Sequence, residues 1–339
     1  PECGNRDPRW INRHLIVASK RKVKTMTDTV SITLWATNLG QSLKGPQDWL
    51  DALDTVAAEA KAAGSDLLVA PEYVSEQWLT YCGPDIDVTQ EPAAMAQAAQ
   101  AIMPGIQALA NKHSLDIMAG SWPVADGNGG YNNGAHLFTV GGTSPFIQRK
   151  MCMTPPEKAP DSWGIVPGKQ MQVFEWNGLR CAIIICLDIE LPILSSMLAQ
   201  AAPDLDLIIC PSMTEKMSGY SRVFSCAKAR AVELFTTVAV VGCIGATPLG
   251  EGRKNVSGAA VYQPCEAELG FTGRFAEIGP FHEAEKGDPL GPRLHAKDIP
   301  VGIVRKLRAT QPEVWPGAWT GEGVSISVAG AKPALKKSA

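Results

Sequence analysis

Apolar runs that stop abruptly at a polar or charged residue recur along this chain, and amphipathic stretches separate them. Val30-Ser31-Ile32-Thr33-Leu34-Trp35 reads as a strand, and residues 46–64 carry Trp49, Leu50, Leu53, Val56, Ala57 and Ala60 on one helical face. A strand over 65–71 follows, then an Ala-rich helix near 91–114 and strands near 116–123, 135–141 and 171–176. The β-branched run 179–186 predicts a buried strand that leads into a helix near 191–202. A strand over 205–210, a helix over 221–235 and a strand over 236–244 complete the predicted core. Residues 247–300, rich in Gly and Pro, read as loops with one strand near 258–263. Alternation of this kind predicts α/β layers.

Three of the predicted strand ends carry reactive groups. The run Ala182-Ile183-Ile184-Ile185-Cys186 ends in a thiol, Leu67-Leu68-Val69-Ala70-Pro71-Glu72 in a carboxylate, and Phe146-Ile147-Gln148-Arg149-Lys150 in an ammonium. Taken singly, each has an ordinary explanation: cysteine is a common core filler, a glutamate stabilises a helix N-terminus, and a lysine solvates a strand end. Together they form a chemical set. A carboxylate takes the proton of a thiol that is mostly unionised at neutral pH, and later returns it to a leaving amine. The ammonium and the backbone N–H of Leu187 would hold the oxyanion formed when sulfur attacks a carbonyl.

The motifs around these residues resemble those of the nitrilase (carbon–nitrogen hydrolase) superfamily. Pro71-Glu72-Tyr73 is similar to its glutamate motif, and Tyr131-Asn132-Asn133 with Arg149-Lys150 to its lysine region. Thr154-Pro155-Pro156-Glu157 is similar to its second glutamate, and Cys186-Leu187-Asp188-Ile189-Glu190-Leu191-Pro192 to its cysteine elbow. Ala229-Arg230-Ala231-Val232-Glu233 matches the helix beyond, with weaker landmarks at Ser257-Gly258 and Arg308, so the likeness runs from about Val30 to Val328 in the family's order. Two positions depart from the pattern: Leu187 stands where the family commonly has an aromatic residue, and Ile193 where an acid commonly follows the proline.

The resemblance implies an αββα sandwich, two facing mixed sheets with helices outside, and a Glu72-Lys150-Cys186 triad. It implies that Glu157 holds Lys150 and helps to orient the substrate, and that Leu187 and Tyr73 border it. Among aromatic and methionine side chains, Tyr73, Trp78, Trp122, Trp163 and Met213 are candidate pocket walls. Asp188 and Glu190 are expected to cap the following helix, and Arg230 with Glu233 to form a structural pair.

Composition narrows the function. The chain of 339 residues has 31 Lys and Arg against 34 Asp and Glu, a net charge of −3, so no basic excess points to nucleic acid or an anionic membrane. No apolar run is long enough for a spanning helix. Nine scattered cysteines, without CxxC or Cys/His clusters, suggest a reducing, cytoplasmic setting and neither disulfides nor a metal site. No cofactor is implied. Residues 1–25, with seven Lys or Arg (6, 9, 13, 20, 21, 22, 24) against Glu2 and Asp7, read as a basic arm or an expression artefact outside the domain. The hydrolase domain is expected over 26–328 and a disordered tail over 329–339.

The expected activity is hydrolysis of a non-peptide amide through a cysteine thioester, on a small-molecule substrate and in a homodimer or larger assembly. Asp188 makes the elbow resemble the amidase branches more than the nitrilase branch. Nitrile or N-carbamoyl amino acid hydrolysis on the same fold, acyl transfer to an amine, and a catalytically silent binding or scaffold protein are the alternatives.

Overall fold

The computed structural model describes residues 27–83, 86–249, 252–310 and 323–325. The expected basic leader and C-terminal tail lie outside the described residues. In chain order the first half contains β1 (Val30–Trp35), α1 (Pro46–Ala62), β2 (Leu67–Val69), α2 (Leu79–Cys82), α3 (Glu91–His113), β3 (Asp116–Ala125), β4 (Tyr131–Phe138), β5 (Phe146–Arg149) and α4 (Pro155–Lys158). The second half contains β6 (Val173–Trp176), β7 (Leu179–Ile183), α5 (Pro192–Ala201), β8 (Leu207–Ser212), α6 (Met217–Glu233), β9 (Thr237–Gly242), β10 (Gly245–Thr247), β11 (Arg253–Asn255), β12 (Ser257–Tyr262), β13 (Arg274–Phe281), β14 (Arg293–Ile299) and α7 (Val301–Thr310).

These strands form two six-stranded sheets, ordered β14-β1-β2-β3-β4-β5 and β13-β12-β9-β8-β7-β6, with a separate β10–β11 hairpin. Both sheets are mixed. Their centres are parallel, β1-β2-β3 in one and β7-β8-β9 in the other, and their flanks are antiparallel. Such buried parallel centres need apolar cover on both faces, and the side-chain alternation supplies it. Val30, Ile32, Leu34, Leu67, Val69, Met118 and Leu137 join one core cluster with the second sheet. Their neighbours Trp35, Leu68, Ile117 and Phe138 point the other way, into a cluster with Trp49, Leu53 and Val56 of α1 and Ile102 and Ile106 of α3. On the far side α6 buries Tyr220, Val223, Phe224, Ala227 and Ala231 in the core. The layers are therefore helix, sheet, sheet, helix, as the resemblance implies.

The helices expected over 46–64, 91–114, 191–202 and 221–235 are α1, α3, α5 and α6, each within a few residues. The loop reading of 247–300 needs correction: besides β12, the segment holds β11, β13 and β14, and β13 and β14 form sheet edges. Edge strands bury one side at most, so Arg274-Phe275-Ala276-Glu277-Ile278-Gly279-Pro280-Phe281 can carry charges, glycine and proline that a central strand would reject. The helix α7 that follows buries Val301, Val304 and Leu307, a spacing that could have announced it. All eight described cysteines are unpaired thiols, and no helix among the described residues is long and apolar enough to cross a membrane.

Candidate active site

The C-terminal ends of the parallel strands bring the site together, since strands in both sheets stop at a polar residue there. Beyond β2 the chain passes through Ala70 and Pro71 to Glu72, and Tyr73 turns it at φ 48 into a 3-10 turn over Val74–Trp78. This corner rests against Gly120, where a Cβ would lie 2.2 Å from the Pro71 carbonyl oxygen. Beyond β7, Ile184 still donates to Ile209 at 3.0 Å, and Cys186 then adopts φ 48 at the start of a 3-10 turn. The strand expected to reach residue 186 thus ends at Ile183. A left-handed conformation at a residue with a Cβ costs about 1 kcal/mol or more, and here it turns the thiol out of the sheet. The Cys186 Sγ lies 3.4 Å from Ser212 Oγ and 3.5 Å from the Met213 carbonyl, both at the end of β8.

Lys150 follows the edge strand β5 and is 1% exposed. Its Nζ donates to Glu72 Oε1 at 2.8 Å and to Glu157 Oε2 at 2.6 Å. Asn133 donates to both carboxylates, at 2.8 Å to Glu72 and 3.2 Å to Glu157. The backbone N–H of Met213 donates to Glu72 Oε2 at 2.9 Å, which ties the two sheets together across the site. Glu157 closes a capping box on α4, accepting from the Thr154 backbone and hydroxyl at 2.9 and 2.8 Å, and it accepts from the Tyr73 hydroxyl at 3.0 Å.

Burial and charge push these groups in different directions. Burial raises the Glu72 pKa above the usual carboxylate range, and the neighbouring Glu157 charge adds to the effect. Burial would raise Glu157 too, but Lys150 and Thr154 outweigh it and hold that carboxyl below its ordinary value. Lys150 would be lowered by burial, yet the two carboxylates keep it well above its usual range. Burial, then the Glu72 charge, pushes the Cys186 thiol up, so it rests protonated. Carboxyls driven apart in this way take different roles. Of the two carboxyls bound to Lys150, Glu157 is the more acidic and Glu72 has the higher proton affinity.

Glu72, Tyr73, Lys150, Glu157, Cys186 and Leu187 all line one cavity of about 440 Å³. Trp163 and Met213 line it as well, whereas Trp78 and Trp122 belong to the core. They pack against Trp49, His136 and Phe138, so those two wall assignments are corrected: Trp122, inside β3, and Trp78, at the end of the 3-10 turn, join the cluster with α1 and α3. The helix-cap role expected of Asp188 is also corrected. Its carboxylate accepts from the Met151 and Cys152 backbones, each at 2.8 Å, and so ties the segment after Lys150 to the cysteine turn. Glu190 pairs with Arg222 at 3.0 Å rather than capping α5. Arg230 does pair with Glu233, and its Nε reaches the Ile189 carbonyl at 3.1 Å, bracing that turn from α6.

Sequence reasoning assigned no role to Asn133, Thr154 or Ser212, nor to an outer group of Glu76, Glu91 and Arg253. Thr154 was readable from the capping-box spacing Thr-x-x-Glu. Arg253 sits on the β10–β11 hairpin, inside the segment read as loop. Among the described residues no group of three or more His, Cys, Asp or Glu is arranged to hold a metal.

Comparison with known proteins bears on the family and the fold. A family model described as carbon–nitrogen hydrolase matches residues 40–265. A curated relative, the probable hydrolase YhcX of Bacillus subtilis, is 28% identical over 260 residues, covering 76% of this chain and 49% of the relative, so the chain spans about half of that protein's length. Among solved structures, an amidase from Nesterenkonia sp. has a TM-score of 0.60 at 23% identity, with 86% of this chain and 97% of that chain covered. A glutamate-to-glutamine mutant of the Nesterenkonia sp. AN1 amidase, with the acetamide moiety of fluoroacetamide added covalently at its active-site cysteine, has a TM-score of 0.59 at 22% identity, with 82% and 93% covered.

Proposed function

Because this chain belongs to the carbon–nitrogen hydrolase family, we propose that it hydrolyses a small amide to an acid and ammonia or an amine through a thioester on Cys186. The observation that carries this reading is the sharing of one buried ammonium, Lys150, between two carboxyls of opposite proton affinity beside a protonated thiol. Glu72 accepts the thiol proton as sulfur attacks the carbonyl carbon. Lys150 and the Leu187 N–H hold the oxyanion of the tetrahedral intermediate. The protonated Glu72 gives its proton to the leaving nitrogen as the C–N bond breaks. Water then gives a proton to Glu72 and adds to the thioester. As the second tetrahedral intermediate collapses, the thiolate leaves and regains that proton. Glu157 keeps Lys150 charged and in place throughout, with Tyr73 and Asn133 holding it.

An amide builds an oxyanion that the Lys150 ammonium can hold, and its leaving nitrogen needs the proton that Glu72 would carry. A nitrile gives a thioimidate and asks for protonation at that place instead. Primary amides are therefore expected to be turned over faster than matched nitriles. Ammonia release from amides, N-carbamoyl amino acids and nitriles, with intact-mass detection of an acyl adduct on Cys186, tests this. A nitrile preferred by about tenfold in kcat/KM, roughly 1.4 kcal/mol in the transition state, would overturn the amide assignment, and an adduct on another cysteine would overturn the nucleophile. Exhaustive EDTA treatment is expected to leave turnover unchanged.

Two copies are proposed to pair through the outer face of α5, where Ile193 is 64% and Met197 58% exposed. Side chains of this kind in solvent mark interfaces. Light scattering at micromolar protein tests the pairing, and a strictly monomeric mass would end it.

A further inference from the structure

The amide-cleaving cavity extends outward from the thiol to a second group of charges on which the proposed chemistry makes no demand. Glu76, on the 3-10 turn one step beyond Glu72, lines this part of the cavity and is 1% exposed. Its Oε1 accepts from Arg253 Nη1 at 2.9 Å, and its Oε2 is buried with no hydrogen-bond partner. Asn255 lines the same cavity and is equally buried; its Nδ2 donates to the Arg253 carbonyl at 3.3 Å, and its Oδ1 has no partner. Two buried acceptors without donors on one cavity wall indicate a missing donor, because native structures leave few buried polar atoms unpaired.

The charges around them say which donor. Arg253 is shared: besides Glu76 it serves Glu91, at 2.6 and 2.9 Å, and Glu91 also accepts from Trp163 Nε1 at 2.7 Å. One guanidinium therefore faces two buried carboxyls. Glu215, on the cavity wall, and the buried thiol of Cys243 also interact with Glu76, and neither brings positive charge. Of the other cations on the wall, Arg222 is paired with Glu190 and Lys216 adjoins Glu215 in the chain. An anion would meet an acidic pole here. An ammonium brings three donors and a positive charge, which suits two acceptors and a surplus carboxylate.

We propose that Glu76 and Asn255 form a subsite for a protonated amine at the far end of the substrate, so that the preferred substrates are ω-amino amides. The inference rests on the amide-cleaving reading for what happens at Cys186, but binding at the subsite can be measured without turnover.

The test uses the Cys186→Ala variant. Calorimetry measures its affinity for primary amides with two to six methylenes ending in an amine, a hydroxyl or a methyl group. At pH 8 at least one amine-terminated amide should bind about tenfold tighter than its methyl and hydroxyl counterparts. In the Cys186→Ala/Glu76→Gln double variant that preference should fall to within about twofold, and Cys186→Ala/Asn255→Leu should reduce it in part. The preference should also weaken as pH falls through about 7, since burial lifts the Glu76 pKa to about that value and protonation removes its charge. Equal binding of amine and methyl amides, equal binding of amine and hydroxyl amides, no detectable binding of any amine-terminated amide, or a preference that survives Glu76→Gln would each overturn the subsite. Failure of the chemistry reads differently: the wild-type protein would release no ammonia from any amide while the Cys186→Ala variant still selected amines.

Discussion

Two acidic clusters of matching composition, two carboxyls around one cation, border the cavity, and they differ in how fully the carboxyls are paired. In the inner cluster Glu72 and Glu157 share Lys150, and each of their four oxygens accepts at least one hydrogen bond, from Lys150, Asn133, Met213, Tyr73 or Thr154. In the outer cluster Glu76 and Glu91 share Arg253, and one oxygen of Glu76 has no donor. The inner cation is 1% exposed, while the Arg253 side chain is 33% exposed. Carboxylates whose oxygens are all paired are fixed in one geometry before any substrate arrives, which is what stabilising a developing charge requires, although the Oδ1 of Asn133 beside them is itself unpaired. An open network leaves a place for something else to complete it.

The largest expected effect lies at the proposed nucleophile beside the inner cluster. Cys186→Ala should lower kcat by about a thousandfold or more, as removal of a covalent nucleophile does, with little change in melting temperature. Cys181→Ala and Cys210→Ala, both fully buried in β7 and β8, should retain kcat within about threefold and lose only packing energy. Equal loss at all three positions would show that the thiol has been misassigned.

The next test breaks each cluster by removing its cation. Lys150→Met leaves two carboxyls buried without their counter-charge and should cost about 3–5 kcal/mol in stability, together with a loss of about a hundredfold or more in kcat/KM. Arg253→Met should cost clearly less, because the guanidinium is partly solvated and Glu76, already raised to a pKa of about 7 by burial, takes up a proton in its place. Urea unfolding of both variants at pH 7 checks the order. A larger loss for Arg253→Met would invert the contrast between the clusters.

The same contrast explains what the sequence disclosed. Glu72 and Cys186 were legible because each ends an apolar strand run, and a buried strand seldom ends in a charge or thiol without reason; Lys150, after the polar residues Gln148 and Arg149 of an edge strand, was legible only beside those two and through the family motif. Glu157 was legible through its place after Thr154-Pro155-Pro156. The helices α1, α3, α5 and α6 followed from their apolar spacing. Asp188 misled because an acid just before a proline-started helix is a usual cap, whereas its partners lie 36 and 37 residues back at Cys152 and Met151. The outer cluster was out of reach because Glu76 and Arg253 are separated by 177 residues. No local pattern marks either one, and Arg253 lies on a short hairpin among glycines.

The smallest effect is the most direct probe of the open cluster. The Glu76 carboxyl has an ordinary value of 4.5 and is lifted to about 7 by burial, against the opposing pull of Arg253. Its folded-state pKa therefore exceeds its unfolded one, so the folded chain holds a proton that the unfolded chain has released. That contribution to stability is fully present below about pH 4.5 and is lost as pH rises through about 7. Glu76→Gln keeps the shape of the protonated acid and cannot ionise. The stability of the variant relative to wild type should therefore rise between pH 4.5 and 8, by at most about 3 kcal/mol, and level off above that range. A gain of this sign at alkaline pH would mean that an ionised Glu76 is retained against stability, as residues kept for binding often are. In the Cys186→Ala background, which cannot turn the ligand over, saturation with an ω-amino amide should shrink the gain, since bound amine would supply the absent donor and stabilise chiefly the form that keeps Glu76. Chemical unfolding across this pH range measures the effect, and a flat difference between variant and wild type would show that Glu76 is satisfied without any ligand.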